Sequence, residues 1–465
     1  MKGEPLASAQ SNEPRPYTQG YRQETGWENA SLLPLHIPHL TQELKRMLAK
    51  EDNDLLTQTG RGTPMGELMR RYWIPVLLAA ELPERDGAPV QVRVMGEELV
   101  AFRDTNGRVG LLDEHCHHRG TSLFYGRNEE CGLRCVYHGW KYDVEGNVLD
   151  TPAEPAGSTF KDRMRTNAYH THEAGGLIWA YMGPAEKQPL FPAYEFADMD
   201  PDSLVVTKSH QDCNYLQGVE GECDTTHLQF LHWQFEAGGD MRDYYRNPMR
   251  EYICEEADFG MRLVALRDAG PDKTYVRVSS IVLPTLCWIP AGGVGSVHIY
   301  IPAEDDGHSW RINLDLAAIR APRNADKVPF VDENFRKTRN ITNHYLQDRE
   351  EQRTENFLGM GPTFPIHDSC ATETMGQVFD RSKEHLAASD RAVIAMRNYL
   401  LRTVRDFQNG GEPPNVMMDQ AENHYGHIDT FSRVIEGSDW RGVFPHLTIK
   451  REPGLVGAGS ARQPR

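Results

Sequence analysis

Four residues set the terms for this chain: Cys116 and His118, then Cys135 and His138, with sixteen residues between the two pairs. Two thiolates and two imidazoles on paired loops can hold a [2Fe–2S] cluster, the cysteines on one iron and the histidines on the other. Neutral imidazoles in place of two thiolates remove negative charge and raise the reduction potential. Such a centre takes and passes electrons one at a time. The same donors also suit tetrahedral zinc. Spacing weighs against zinc, because zinc fingers commonly keep cysteines together and histidines together. The flanks point the same way. His118-Arg119-Gly120 and His138-Gly139-Trp140 place a glycine where backbone N–H groups can approach sulfides, and Trp140 can keep water away.

The chain has 465 residues, which favours two domains plus tails over one. No apolar run approaches the roughly 20 residues that span a bilayer. The N-terminus has no apolar h-region, so no secretory signal is visible. The formal net charge of −17 argues against nucleic-acid and anionic-membrane partners. It also means that a carboxylate substrate would need a local basic pocket. Besides Cys116 and Cys135 there are Cys131, Cys213, Cys223, Cys254, Cys287 and Cys370, with no disulfide framework. Reduced thiols in a cytoplasmic protein are the simplest reading.

Residues 1–52 are polar, rich in proline and read as an extension, with a short helix expected around Thr41–Ala49. Thr63-Pro64 opens a helix expected to reach Trp73 and to stop at Pro75. From Val90 the apolar period becomes two. Val90–Val94, Leu99–Phe102 and Val109–Leu112 are strands, with turns at Gly96-Glu97 and Asn106-Gly107. Tyr142 and Val148-Leu149 flank a further turn, and Gly176–Tyr181 closes a β-rich domain over 53–185. The prolines between Pro184 and Pro201 mark the boundary. Over 186–450, strands are expected near Met261–Leu266, Tyr275–Leu283 and Val297–Ile301. A long polar helix is expected over Val331–Phe357. A final helix, capped by Ser389, carries Val393, Met396, Leu400, Val404 and Phe407, with Gly410-Gly411 beyond its end. Residues 451–465 read as a tail. Strands followed by helices give an α+β class.

A second constellation lies at Asp224, His227 and His232. Asp224 and His227, three apart, share a helix face. His227 and His232 are five apart, about 140° round an ideal helix. Both can reach one ion only if the helix ends or distorts between them; otherwise they are ordinary helix histidines.

Taken together, CxHRG followed by CxYHGW closely resembles the Rieske signature, with His117 where many relatives have proline. The second motif, placed after it, resembles that of the Rieske non-haem iron aromatic ring-hydroxylating oxygenases. The phthalate dioxygenase-like branch is matched at Phe364–Gly376. The resemblance covers about residues 53–410, including Leu111–His115, Asp348–Phe357 and Asp380–Leu386. It implies an oxygenase (alpha) subunit with an N-terminal β-rich Rieske domain. The catalytic domain would be an antiparallel sheet covered by helices, of the helix-grip type. It implies Fe²⁺ held by His227, His232 and Asp368, two histidines and a carboxylate that leave positions for O₂. Glu373 is the alternative carboxylate, and a helix N-cap is the competing role for Asp368. Asp224 would link His227 to His138 of a neighbouring subunit and carry electrons across. A trimer, alone or stacked as a hexamer, follows from that wiring. So does a separate NAD(P)H-dependent reductase carrying flavin and iron–sulfur centres. The branch acts on aromatic carboxylates, by cis-dihydroxylation, O-demethylation or monooxygenation. An arginine could clamp such an acid; Arg250, Arg262, Arg267 and Arg277 lie on candidate pocket strands. A pure electron carrier, or a subunit without oxygen chemistry, is the alternative.

Overall fold

The computed structural model describes residues 48–200, 203–235, 241–290, 295–316, 329–423, 425, 428 and 430–445. The extension up to residue 47, most of the helix expected at Thr41–Ala49, and the tail 451–465 lie outside the described residues. A described helix runs over Lys50–Thr57.

Thr63 caps the helix Pro64–Met69 by accepting from the Gly66 N–H, with proline at the first helical position. The helix then stops earlier than expected. The Arg70 guanidinium donates to the carbonyls of Thr59, Gly66 and Met95 and to Glu97, and so fixes the turn. Trp73–Leu78 is a strand, paired with Leu177–Tyr181. Pro75 is tolerated inside it because this strand is at the sheet edge, with a bulge between Pro75 and Leu77.

Two antiparallel sheets come from residues 73–181. The first is ordered Trp73–Leu78, Leu177–Tyr181, Ala168–Ala174, Val109–Asp113, Glu97–Arg103, Val90–Val94. The second is a four-stranded meander over Arg127–Glu129, Gly132–Arg134, Lys141–Tyr142 and Val148–Asp150. The first hairpin turns at Met95-Gly96, one residue before the expected place, with both φ angles positive. Such a turn matches the twist of the flanking strands. Its two N–H groups donate to the Pro302 and Ala303 carbonyls, tying this half to the next.

The second half is an eight-stranded antiparallel sheet. Its order is Val205–Gln211, Ser309–Asp315, Ser296–Pro302, Leu286–Ile289, Lys273–Val282, Gly260–Asp268, Met249–Ala257, with Phe431–Glu436 also paired to Lys273–Val282. The three expected strands are there. Val205–Gln211 and Met249–Ala257 were not expected because they carry Lys208, His210, Arg250 and Glu251 rather than clean alternation. Helix Tyr215–Cys223 packs on Ser296–Pro302, and helix Arg391–Gln408 packs on Met249–Ala257. This is the α+β architecture expected. Helix Arg391–Gln408 buries Val393, Met396, Leu400 and Val404 and ends at Gly410, φ +88°. Asp390 precedes its first residue, and Ser389 sits in a separate short turn, Ala388–Asp390.

Val331–Phe357 is not one helix. Asn340 caps a short turn over Ile341–Leu346, and Asp348 caps a helix of only Arg349–Thr354. Tertiary bonds break the run. Lys337 and Tyr345 both turn inward to Glu373, at 2.6 Å each. The stretch Asp380–Leu386 also has an internal role. Buried Glu220 takes Arg381 at 2.7 and 2.8 Å and Arg397 at 2.6 Å, while Arg397 also holds Glu384. Burial pushes the Glu220 carboxyl up, but the two guanidinium groups outweigh it and hold it below its ordinary range.

Helix Tyr215–Cys223 lies so close to its strand that a Cβ on Gly218 would sit 2.2 Å from the Tyr300 ring, whereas one on Gly221 would meet nothing within 4 Å. Gly218→Ala is therefore expected to lower the unfolding free energy by about 1–3 kcal/mol. Gly221→Ala is expected to be neutral or to raise it by up to about 1 kcal/mol. Urea unfolding of both variants checks the contrast; equal effects would show that the helix is not pinned there.

Candidate metal centres

Helix Tyr215–Cys223 ends at Asp224, whose backbone is extended (φ −87°, ψ 106°). Asp224 Oδ1 accepts from the Thr226 N–H at 2.6 Å, turning the chain back. Arg267 reinforces the reversal by donating to the Thr225 carbonyl at 3.0 Å and its hydroxyl at 3.2 Å. His227 then begins a single 3₁₀ turn, His227–Gln229. With no continuous helix between them, the rings of His227 and His232 come to 5.1 Å, nearly perpendicular. The angular obstacle of five-residue spacing is removed by ending the helix.

Asp368 lies in the second turn of helix Phe364–Glu373, whose N-cap position is Thr363, so the capping role for Asp368 is excluded. Its Oδ1 is 2.9 Å from His232 Nε2 and 3.9 Å from His227 Nε2. One ligand atom from each of these three residues lies within 4.8 Å of the others. Glu373, the alternative, is spent on Lys337, Tyr345 and the Asp212 N–H. Burial pushes the Asp368 carboxyl up, but His232 and Arg311 prevail and hold it well below the usual carboxylate range. Burial, reinforced by His232, pushes the His227 imidazole below its ordinary range. Two imidazoles and an ionised carboxylate in this arrangement are the donors that suit ferrous iron with open positions.

A cavity of about 210 Å³ opens beside the group, with His227, Asp368, Tyr300, Arg311 and Phe379 among its walls. Behind it stands a polar network that the sequence did not disclose. Arg311 donates to Asp368 Oδ2 at 3.0 Å. Glu222 takes His298 at 2.6 Å and the Tyr300 hydroxyl at 2.8 Å. Glu222 sits two residues before Asp224, but its partners are 76 and 78 residues away in sequence, so nothing local marks it.

The four arginines picked out as clamps sit elsewhere; none is on this cavity wall. Arg250 pairs with Asp268 on the surface. Arg262 lies over Phe259. Arg267 holds the Thr225 turn. Arg277 donates to the Tyr245 hydroxyl and the Pro290 carbonyl. A place on a candidate pocket strand does not bring any of the four to this cavity. Arg311 and Arg397 line it instead, each already bonded to acids.

In the first half, Cys116 and Cys135 are buried at the roots of two matching loops. Gly120 and Gly139 have φ of +73° and +76°. Their N–H groups close the turns onto the Cys116 and Cys135 carbonyls at 2.8 and 3.1 Å, rather than staying free for sulfides. The loops bring the rings of His118 and His138 to 4.4 Å. His118 stacks on buried Trp140 at 4.7 Å, and Tyr142 places its hydroxyl 3.2 Å from Cys116 Sγ. Buried sulfurs below and two imidazoles toward solvent fit a cluster with unlike irons.

Residues 72–166 match the Rieske [2Fe-2S] domain family, and residues 180–452 match the family described as LigXa C-terminal domain like. The chain is 38% identical over 386 residues to the phthalate 4,5-dioxygenase oxygenase subunit of Pseudomonas putida, covering 78% of this chain and 88% of that one. It is 33% identical over 442 residues to the 3-chlorobenzoate-3,4-dioxygenase oxygenase subunit of Comamonas testosteroni, covering 88% and 100%. Among solved structures, NdmA of Pseudomonas putida CBB5 (QL mutant with caffeine) superposes with a TM-score of 0.54 at 18% identity, covering 78% of this chain and 99% of that one. The fold and the two sites define a Rieske-type non-haem iron oxygenase, and the chain belongs to that family. Within it, the chain is an oxygenase (alpha) subunit of the phthalate dioxygenase-like branch. Its cofactors are a Rieske [2Fe–2S] cluster and mononuclear iron, and its co-substrate is O₂. The relatives are terminal oxygenase components, which supports the catalytic reading over the carrier and non-catalytic alternatives.

Asp368→Ala is expected to reduce iron content to that of the cluster alone, with the visible spectrum of the cluster unchanged. Iron analysis alongside absorbance checks it; full iron retention would remove Asp368 from the ligand set.

Proposed function

We propose that His227, His232 and Asp368 hold the catalytic iron, and that Cys116, Cys135, His118 and His138 hold the cluster. The observation that carries this reading is the convergence of the three ligand atoms within 4.8 Å, beside a cavity. When bound, the cluster supplies electrons singly and the iron supplies their use on O₂. The protein's residues orient and exclude. Asp368 presents Oδ1 to the histidines while Arg311 occupies Oδ2. The walls around Tyr300 and Phe379 shape the space for a ring. Residues 53–185 act as the cluster domain and 186–450 as the catalytic domain.

Asp224 is the bridge for electrons. One carboxylate oxygen is anchored on the Thr226 N–H, and the other lies 3.8 Å from His227 Nδ1. His118, Arg119, Val136 and Tyr137 are exposed, so the imidazole edge of the cluster faces outward. That favours delivery to a neighbouring copy, in a homotrimer or a stacked hexamer. Among the described residues no helix is long and apolar enough to cross a membrane, which accords with a cytoplasmic enzyme. The redox partner is an NAD(P)H-dependent reductase with flavin and iron–sulfur centres.

The substrate class is an aromatic carboxylate, oxidised by cis-dihydroxylation, O-demethylation or monooxygenation. The names of the two relatives, on phthalate and 3-chlorobenzoate, support it. Oxygen uptake by the reduced enzyme with a panel of phthalates and benzoates tests it. Stimulation by an acid and not by its methyl ester is expected; stimulation by neutral compounds alone would overturn the class.

Asp224→Asn is expected to keep both metals and to slow oxidation of the cluster strongly in a single turnover. Rapid-mixing spectra check this, and wild-type rates would sink the bridge. Mixed assemblies of His138→Ala chains with Asp368→Ala chains are expected to regain activity that neither has alone. No recovery would place the transfer within one chain.

A further inference from the structure

His367 belongs to neither metal motif, yet it is wholly buried against His232. Its Nε2 is 2.8 Å from the Gly361 carbonyl, and its Nδ1 is 3.3 Å from His232 Nδ1. A carbonyl only accepts, so His367 carries its hydrogen on Nε2. In a neutral imidazole that hydrogen is the only one on the ring. Its Nδ1 therefore accepts, and His232 must donate from Nδ1. The remaining nitrogen of His232, Nε2, faces Asp368 Oδ1 at 2.9 Å. With the hydrogen on Nδ1, the Nε2 lone pair of His232 is aimed at the space beside the carboxylate oxygen, where a metal cation bound between them would satisfy both. Phe364 stacks on the His232 ring at 4.5 Å and 12°, limiting its rotation.

We propose that His367 is a positioning residue that holds His232 in the tautomer whose Nε2 lone pair points at the metal. The inference rests on the reading of His227, His232 and Asp368 as ligands. The chain Gly361 carbonyl, His367, His232 is a relay of hydrogen-bond direction. A backbone acceptor at one end dictates which nitrogen is available at the other. Partners of this kind raise ligand basicity and fix ring orientation, and their loss typically costs about 10–100-fold in metal affinity.

The test uses the full chain with its cluster intact and its mononuclear metal removed. Co(II) is the probe, read by equilibrium dialysis and by its EPR signal with the cluster oxidised and silent. His367→Leu removes the acceptor and is expected to weaken Co(II) binding by about 10–100-fold and to broaden or split the signal. His367→Gln can donate to the Gly361 carbonyl and accept from His232, and is expected to bind within a few-fold of wild type with the wild-type signal. The EPR signal of the reduced cluster and the melting temperature report on folding in each variant. Should the Leu variant not fold, His367→Phe keeps the ring volume without the acceptor and takes its place. Wild-type affinity and signal in the acceptor-less variant would overturn the proposal. So would a Gln variant as weak as the Leu one, since packing rather than hydrogen-bond direction would then be at stake. Failure of the wild-type chain to take up any Co(II) beyond its cluster would sink the ligand reading beneath it.

Discussion

The termination of one helix at Asp224 is the constraint from which the catalytic half follows. Were the helix from Tyr215 to run on, His227 and His232 would point about 140° apart and no single ion could join them. Three side-chain bonds stop it. Asp224 takes the Thr226 N–H, Arg267 takes the Thr225 carbonyl, and the Tyr252 hydroxyl takes the Cys223 carbonyl. Each satisfies a backbone group that a longer helix would have used itself. Arg267 comes from a strand of the large sheet, so the sheet places the turn, and the turn places the histidines.

The interior around this turn is unusually charged. Glu220, Glu222, Arg311, Arg381 and Arg397 are all buried or nearly so. Desolvating these groups costs more than a simple attraction returns, so such pairs are weak sources of net stability. Their effect is positional. Glu220 can satisfy Arg381 and Arg397 together only if helix Tyr215–Cys223, helix Arg391–Gln408 and the Asp380–Leu386 stretch meet in one arrangement. Removing one member would leave an unpaired buried charge, a penalty far larger than the worth of the pair. Alternative packings are penalised, and the ligand-bearing segment inherits that precision.

The two metal motifs were legible in the sequence because ligands on one loop or turn must be close in the chain. The period-two strands of the first half were legible for a similar reason: each hairpin is local. What escaped notice depended on partners far away. The Trp73–Leu78 strand contains a proline that reads as a helix stop, and only its edge position makes it a strand. Val331–Phe357 has a helical composition, but Lys337 and Tyr345 are drawn inward to a glutamate about thirty residues on. The clamp arginines rest on their place on candidate pocket strands, and a strand position does not tell what a side chain faces. Arg311, on the strand Ser309–Asp315, is the one that reaches Asp368.

A common device emerges once both ends of each ligand are considered. Every one of the three side chains offers a second polar atom, and every one of those atoms faces another residue. His227 Nδ1 faces Asp224, His232 Nδ1 meets His367, and Asp368 Oδ2 meets Arg311. A ligand held at one atom can rotate; held at both, it cannot. The open side of the group is thereby kept open, because no ligand is free to swing across it or to bind through its second atom. Of the three holders only Asp224 shares a short segment with the side chain it restrains; His367 reaches His232 from the helix that carries Asp368. Arg311 arrives from a strand and joins helix Phe364–Glu373 to the sheet, so the open side of the three-residue group is a property of the fold rather than of any one loop.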